Sequence, residues 1–331
     1  MNLKLLIEQF ELITDTDDGI DQLHQLILKQ GVKGSLTDNV STNGIAEDLL
    51  EKIKTEKERQ KKEGLITRIP KVDHKESWST EYSEYPEGWL ITKLGNVLNL
   101  EYGKGLPTKK RSENGNYPVF GSNGPMDMHD EYLVEGPCLV IGRKGSAGAI
   151  NLTNENCWPT DVTYFVKPTK SIDINFSYYL LESLDLEKLS KGIKPGLNRN
   201  EAYELIVGVP PIEYQRKIVQ KIESLFAQVD ELEQKVQQDQ ELDERLQVAV
   251  LDDLQSAETP EASRQSWQRL TDHFEQIYRK PEHIDQLKQA ILNEAVRGRL
   301  VPQEKNSDEY FNSLIEEIDI KRQELSAEGE R

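Results

Sequence analysis

The chain has 331 residues and a formal net charge of −18 at pH 7, with 30% charged and 7% aromatic residues. This polar composition, with no apolar run long enough to cross a bilayer, excludes a membrane-spanning protein and favours a soluble protein rich in solvated helices. Cys138 and Cys157 form no CxxC pair, which disfavours a zinc site and a disulfide framework. We find no secretory signal, so the expected location is the cytoplasm, with no membrane partner.

The negative charge is unevenly distributed along the chain. Residues 1–84 carry 12 basic and 17 acidic side chains, residues 85–211 carry 13 and 15, and residues 212–331 carry 16 and 27. The middle segment is therefore nearly neutral, and its basic residues gather in short clusters. A local basic patch of this kind is able to bind phosphate whatever charge the other segments carry.

A segment near the amino terminus recurs 264 residues later. Ile20-Asp21-Gln22-Leu23 returns as Ile284-Asp285-Gln286-Leu287, and residues 49–53 return, after a one-residue slip, as residues 314–318. Each copy predicts a helix capped by glycine, at Gly34 or Gly298, and then a second amphipathic helix. We assign residues 1–64 and 256–331 to two copies of one helical module, and the polar, aperiodic residues 65–84 to a linker.

Residues 212–255 predict one long helix, because glycine and proline are almost absent and apolar residues follow a seven-residue repeat. At about 1.5 Å per residue this helix spans roughly 65 Å, which suits a spacer arm. Asp239 and Asp243 interrupt the repeat; either the partner surface changes there or the carboxylates meet a polar partner. The seam that we expect to contact a partner helix consists of two rows, Ile222, Val229, Val236 and Val250 in one and Ile218, Leu225, Leu232 and Leu246 in the other.

Residues 85–211 have a different character. Short β-branched or aromatic runs at 139–141 and 162–166 alternate with Asn-Gly, Gly-Pro and Lys-Gly turns, and residues 177–190 supply at least one helix. The sequence therefore predicts an α+β fold, in which a loop-rich mixed α/β domain is flanked by long antiparallel or coiled-coil helices.

Catalytic signatures are missing from the sequence. No P-loop or HExxH motif occurs. The only Pro-Pro pair lies in Val209-Pro210-Pro211-Ile212, which predicts a helix entry rather than the Asn/Asp-Pro-Pro-aromatic motif of an adenine methyltransferase. We predict no catalytic residue, no metal site and no cofactor bound by the chain itself.

The middle domain instead contains three glycine-rich loops with basic residues, at 117–124, 142–148 and 191–199, and a lysine-rich stretch at 104–111. Glycines let a backbone approach a ligand closely, and Arg, Lys, Asn and Ser are side chains that contact phosphates and base edges. Any one loop also fits a generic surface turn; three basic loops in one domain favour a polyanionic ligand. The candidate DNA-binding residues are Lys104, Lys109, Lys110, Arg111, Ser122, Asn123, Arg143, Lys144, Ser146, Lys191, Lys194, Asn198 and Arg199.

Taken together, these motifs resemble the specificity subunit of type I restriction-modification systems over nearly the whole chain. YPEGW at 85–89, followed by LGNV at 94–97, resembles the start of that family's target recognition domain. YPVFGSNG, VIGRKGSAG, WPTDVTYFV and KPGLNR resemble its interior. VPPIEYQRKIVQKIESLF at 209–226 resembles the junction with a conserved helix, and the two IDQL segments resemble the conserved repeats.

The resemblance implies a function in DNA recognition without catalysis. The domain at 85–211 would read one half of a two-part target in the major groove of double-stranded DNA. The helices would set the distance to a second recognition domain and hold methyltransferase (modification) subunits, with a restriction/translocase subunit where one is present. S-adenosylmethionine and ATP would be used only by those partner subunits.

One departure from the family pattern leaves the assembly open. The family's full subunit has two recognition domains, whereas this sequence contains one. It is either a half-subunit that pairs as a homodimer and reads a palindromic split site, or the front part of a longer protein. The alternative function is a non-catalytic coiled-coil scaffold whose central domain binds another protein. An autonomous nuclease or methyltransferase is disfavoured by the missing motifs.

Overall fold

A computed structural model describes residues 19–37, 45–75, 78, 82, 84–112, 114–190, 196–274, 278, 281–298, 300, 312–318 and 320–321. The chain divides into two compact units, Met1–Glu233 and Gln234–Arg331. The helices are α1 Gly19–Val32, α2 Ile45–Lys62, α3 Leu94–Val97, α4 Ile174–Ser183, α5 Arg199–Tyr203, α6 Ile212–Ser256, α7 Pro260–Asp272 and α8 Pro281–Val296, and residues 312–318 are also helical. The strands are β1 Leu90–Lys93, β2 Glu101–Tyr102, β3 Tyr117–Gly121, β4 Gly124–His129, β5 Cys138–Gly142, β6 Ile150–Thr153, β7 Trp158–Pro159, β8 Thr163–Val166 and β9 Ile206–Val209.

The first helical copy supplies α1 and α2 to the core of the first unit. Gly34 ends α1 as predicted, with a φ of 76° that favours glycine. The amide of Gly34 donates to the Gly31 carbonyl over 2.9 Å, and that of Ser35 donates to the Gln30 carbonyl over 3.0 Å. This pair of bonds is a Schellman motif. The apolar face of α1 lies buried and consists of Leu23, Ile27, Leu28 and Val32.

The strands of the middle domain form three small sheets. Their orders are β1-β9, β2-β8-β5-β6 and β4-β3-β7. The pairing of β3 with β7 is parallel and the other pairings are antiparallel. The predicted runs at 139–141 and 162–166 become β5 and β8, which are neighbours, with Val140 opposite Phe165. Every residue of β5 is buried, so this strand lies at the centre of the α+β domain that the sequence predicts.

The predicted linker is irregular, and its described part is fastened to the middle domain. Ile66 is buried. The hydroxyl of Thr67 donates to Oε2 of the buried Glu101 over 2.7 Å, and Nδ2 of Asn99 donates to the Arg68 carbonyl over 2.7 Å. The first helical copy and the middle domain also share one hydrophobic core. The boundaries predicted between these segments stay a prediction.

Helix α6 has 45 residues and begins at Ile212, where the sequence places its start. The buried side chain of Gln215 attaches this first turn to the middle domain. Its Nε2 donates to the carbonyls of Pro210 and Ser171 over 2.8 and 3.1 Å, and its Oε1 accepts from the Asp173 amide over 2.7 Å. Asp173 is in turn the N-cap of α4. The long helix therefore starts from a fixed point on the domain.

The predicted seam of α6 is apolar and largely inward-facing in each unit. In the first unit Gly31 leaves room for Ile222, because a Cβ at Gly31 would approach the Ile222 side chain to 2.5 Å. Asp239 is exposed and Asp243 is half-buried. The buried seam residues are Ile218, Ile222, Leu225, Val229 and Val250, and the half-buried ones are Leu232, Val236 and Leu246.

The second unit contains a smaller core. Gly298, with a φ of 70°, follows the end of α8 as Gly34 follows α1. The hydroxyl of Ser263 on α7 donates to Oε2 of the buried Glu294 on α8 over 2.9 Å. No helix in the described parts of the chain is both long and apolar enough to cross a membrane. The buried residues of this core are Val250, Leu251, Leu254, Leu270, Tyr278, Leu287 and Ala290.

Candidate nucleic-acid interface

The turn between β3 and β4 carries the first predicted loop. Gly121 and Gly124 pair at its base, and Asn123 is exposed at its tip while Ser122 is half-buried. The Ser122 hydroxyl donates to the main-chain carbonyl of Lys144. The first loop therefore touches the second, which follows β5.

The second loop is pinned at its base and open at its tip. The amide of Gly142 donates to the Ala149 carbonyl, and the amide of Gly148 donates to the Gly142 carbonyl, both over 2.8 Å. A Cβ on Gly142 would approach the Ser122 carbonyl to 2.5 Å, so glycine is required where the two loops meet. Lys144 and Ser146 are exposed, which leaves both side chains available to a ligand.

The described end of the third loop lies against the second. Lys144 pairs with Gly196 in an antiparallel bridge, and the Leu197 amide donates to the Arg143 carbonyl over 2.9 Å. Asn198 is exposed and caps α5 by accepting from the Asn200 amide over 3.0 Å. Lys191 and Lys194 lie outside the described residues. The structure thus brings parts of all three predicted loops together.

Arg199 differs from the other candidates because it is buried. Its Nη1 donates to the Leu100 carbonyl over 2.8 Å, and its guanidinium lies 4.3 Å from the centre of the Tyr102 ring. These contacts engage the side chain inside the domain. Arg199 therefore packs against Tyr102 from the inside of the domain, and we assign it no direct DNA contact.

The lysine-rich stretch begins beside these loops. A Cβ on Gly103 would approach the Pro159 carbonyl to 2.6 Å, and the Lys104 amide donates to that carbonyl over 2.9 Å. Trp158 Nε1 donates to the Lys104 carbonyl over 2.8 Å. Arg143 reaches the same segment, since its Nη2 donates to the Asp161 carbonyl over 2.7 Å. We call the surface formed by residues 102–105, 122–123, 143–146 and 196–198 the loop face.

The rest of the stretch forms a loop closed by Arg111. Its Nε and Nη2 donate to the Leu106 carbonyl over 3.1 and 2.9 Å. Leu106 is buried in a cluster with Val119 and Trp158. Lys109 and Lys110 lie in a 3₁₀ turn with exposed side chains. Arg111 thus closes the loop that carries the two exposed lysines.

The charges of these lysines are not neutralised by described neighbours. Lys104, Lys109, Lys110 and Lys144 form no ion pair with a carboxylate in the part of the chain that the structure describes. Some lysines elsewhere in the first unit are paired, as Lys29 is with Asp185 over 3.0 Å and Lys33 with Glu84 over 2.7 Å. Exposed lysines are able to neutralise phosphates of the DNA backbone.

Aromatic side chains at the loop face were missed by the sequence-based reasoning. Tyr102 is 49% exposed, and its ring centre lies 5.1 Å from that of Tyr164. Burial, followed by the proximity of Tyr102, raises the pKa of Tyr164 to about 12. Tyr164 therefore stays protonated and donates to the Leu197 carbonyl over 3.0 Å. The one signal in the sequence was the position of Tyr102 directly before Gly103-Lys104.

Comparison with known proteins relates the middle domain to a DNA specificity domain. Residues 86–242 match the family model described as "Type I restriction modification DNA specificity domain". The chain is 25% identical over 346 residues to the type I restriction enzyme EcoAI specificity subunit of Escherichia coli, and 25% identical over 345 residues to the EcoEI specificity subunit. Each alignment covers 94% of this chain, but only 57% and 56% of the respective relative. The chain thus spans little more than half the length of these relatives.

Solved structures give a weaker likeness. The crystal structure of a type I restriction-modification S subunit from M. genitalium aligns over 67% of this chain and 56% of its own, with 18% identity and a TM-score of 0.39. The HsdS subunit from Thermoanaerobacter tengcongensis aligns over 69% and 56%, with 20% identity and a TM-score of 0.39. The match of residues 86–242 to the type I DNA specificity domain and the similarity of the chain to two type I specificity subunits are the findings that relate this chain to known proteins.

Proposed function

We propose that the chain reads DNA sequence through the loop face and catalyses no reaction itself. The observation that carries this proposal is the convergence of the predicted loops onto one surface with exposed, unpaired lysines. Lysines contact phosphates and position a protein on the duplex. Asn123, Ser146 and Asn198 are side chains of the kind that hydrogen-bond base edges in the major groove.

The net charge of −18 is compatible with this role because the acidic excess lies elsewhere. The segment 212–331 alone has 27 acidic and 16 basic residues, a balance of −11. Helices that bind protein partners need no basic surface, whereas the loop face needs only a local positive potential. The charge distribution therefore separates DNA contact from subunit contact.

The second helical copy supports the reading of one half of a bipartite target. In the first copy, Leu28 and Val32 are each 4% exposed and pack in the core shared with the middle domain. Their repeat equivalents Leu292 and Val296 are 56% and 89% exposed. The exposed apolar face of the second copy has the same sequence pattern as the face that the middle domain covers in the first copy. It is therefore suited to contact a domain of the same kind. We propose that it receives a second recognition domain, from the same polypeptide or from a second copy of the chain.

The same difference holds for the second helix of each module. Leu49, Leu50 and Ile53 are buried in the first unit. Their equivalents Leu314, Ile315 and Ile318 are all exposed. We propose that methyltransferase subunits, and a restriction/translocase subunit where one is present, dock on the helical regions in the cytoplasm. S-adenosylmethionine and ATP would be bound by those partners.

Selection from a random-sequence pool of duplexes tests the proposal. The chain, purified with its methyltransferase subunit, should enrich a defined sequence. Lys104→Ala and Lys144→Ala should weaken binding to every duplex about equally and lower its salt dependence, because each loses a phosphate contact. Lys170→Ala is the matched control, since Lys170 is an exposed lysine of the same domain that lies outside the loop face, next to Ser171, whose carbonyl accepts from Gln215 in the first turn of α6.

Each outcome of this selection separates the candidate functions. Recovery of duplexes with no common sequence would contradict sequence reading and favour the protein-binding scaffold. Equal weakening by Lys170→Ala and Lys144→Ala would show that the loop face is not the contact surface. Methyl transfer by the chain without its partner would overturn the non-catalytic assignment.

A further inference from the structure

Tyr102 is an exposed tyrosine at the loop face that contacts two guanidinium groups. It ends β2, pairs with Tyr164 of β8 and leaves 49% of its surface exposed. The guanidinium carbon of Arg199 lies 4.3 Å from its ring centre, and that of Arg143 lies 5.2 Å away. Both distances are within the range of attractive cation–π contacts.

The ring is held from the interior of the domain. Arg199 is buried and fixed by its bond to the Leu100 carbonyl. Tyr164, whose ring lies 5.1 Å from that of Tyr102, is fixed by its bond to the Leu197 carbonyl. The Tyr102 ring is therefore held in one orientation where it faces Arg143.

Arg143 is restrained on its main chain and on part of its side chain. Its amide donates to the Val162 carbonyl over 2.8 Å, and its carbonyl accepts from the Leu197 amide. Its Nε and Nη2 donate to the Asp161 carbonyl over 3.2 and 2.7 Å. A guanidinium has five N–H groups in a fixed plane. The Nη1 group donates to no acceptor among the described residues. The side chain is half-buried, so part of it remains accessible to a ligand.

We propose that Tyr102 is a positioning residue, which holds the Arg143 guanidinium so that its Nη1 edge binds a phosphate of the DNA backbone. This proposal rests on the proposed function. Arginine suits the task because its planar group binds phosphate oxygens in a defined geometry. A guanidinium already oriented by an aromatic ring and a carbonyl loses less side-chain freedom on binding.

The test measures the affinity of the full chain, with its methyltransferase subunit, for a fluorescent duplex of mixed sequence over a range of salt concentrations. Arg143→Ala should lower the slope of log affinity against log salt by about 0.9, the value for one phosphate. Tyr102→Leu should weaken binding roughly 2- to 10-fold, from a cation–π contribution of about 0.5 to 1.4 kcal/mol. Tyr102→Phe, which keeps the ring, should bind like the unaltered chain.

A double-mutant comparison shows whether Tyr102 acts through Arg143. In the Arg143→Ala background, Tyr102→Leu should have no further effect. Tyr132→Leu is the matched control, because Tyr132 is 46% exposed in the same domain and, among the described residues, its ring contacts the Tyr117 ring and no arginine. If Tyr102→Leu does not fold, pentafluorophenylalanine at position 102 keeps the ring's shape and reverses its quadrupole, so it should weaken binding.

The outcomes distinguish this proposal from the one on which it rests. If the unaltered chain shows no salt-dependent binding to DNA, the proposed function itself fails. If the unaltered chain binds and Tyr102→Leu binds equally well, the positioning role is wrong. If Tyr102→Leu lowers the affinity for DNA by the same factor with and without Arg143, Tyr102 contacts DNA directly, for example by stacking on a base. The proposal is then also overturned.

Discussion

At the scale of single residues, Lys57 is an ionisable group in an unusual environment. It lies on α2 and is 2% exposed. Its Nζ donates to the carbonyls of Gly95 and Leu98 over 2.8 and 3.3 Å. Burial lowers the pKa of Lys57 from its usual 10.5 to about 7. The contact between the first helical copy and α3 therefore depends on a lysine that loses its proton easily.

We predict that Lys57 makes stability depend on pH. Between pH 7 and 10.5 the unfolded chain holds a proton that the folded chain has released, so the free energy of unfolding should rise with pH in this range, by at most about 1.4 kcal/mol per pH unit. Below pH 7 both states are protonated, and the contribution should be constant. Urea unfolding at several pH values measures the slope.

Two variants make this slope specific to Lys57. Lys57→Met should flatten it. Lys54→Met, at an exposed position on the same helix, should leave it unchanged. A slope that persists in Lys57→Met would show that other groups produce it.

Residue chemistry could be predicted from the sequence only in part. Their residue types in glycine-rich loops indicate Asn123, Lys144, Ser146 and Asn198 as surface residues, and the structure exposes all four. The same pattern indicates Arg199 as a surface residue, but Arg199 is buried. Its environment depends on Leu100 and Tyr102, which lie about a hundred residues earlier in the chain, and a local pattern cannot show such a contact.

At the scale of elements, the connection between the middle domain and α6 depends on one buried amide. Gln215 satisfies main-chain groups of Pro210, Ser171 and Asp173. We predict that Gln215→Leu lowers the free energy of unfolding of the first unit by about 1 to 3 kcal/mol for each main-chain group left without a partner. Urea unfolding followed by tryptophan fluorescence provides the measurement.

The control for this prediction lies on the same helix. Gln228 is exposed and bonds only to the Ser224 hydroxyl over 3.3 Å among the described residues. Gln228→Leu should change stability by less than about 0.5 kcal/mol. Equal effects of the two substitutions would show that the buried amide does not attach the helix to the domain.

Periodic elements were predictable and sheet order was not. The apolar repeat placed α6 within one residue of its observed ends, 212–255 against Ile212–Ser256, because a helix depends on local spacing. The parallel pairing of β3 with β7 joins Val119 to Trp158. The two strands are short and separated by β4, β5 and β6, so no local pattern in the sequence specifies the pair.

At the scale of the whole molecule, the two helical copies have similar sequences and different environments. We predict that Leu28→Ala costs about 2 to 5 kcal/mol of the stability of the first unit, because it leaves a cavity in a packed core. Leu292→Ala, the same change at the equivalent position, should cost less than about 0.5 kcal/mol, because that side chain is 56% exposed. Thermal unfolding of the two variants compares them directly.

A second recognition domain changes this expectation in a defined way. When a partner domain covers the second copy, Leu292→Ala should weaken that association while Leu28→Ala should not act on it. Equal costs for both substitutions in the isolated chain would mean that the second copy is already packed, and would contradict the proposed docking of a second domain.

The central claim is that residues of the middle domain determine which DNA sequence is recognised. Mapping methylated adenines tests it most directly, in cells that express the chain with the proposed methyltransferase partner, before and after exchange of residues 85–211 for the corresponding domain of a relative. We predict that the exchange changes one half of the methylated target and leaves the separation between the halves unaltered. A methylated target that is the same before and after the exchange would contradict the claim.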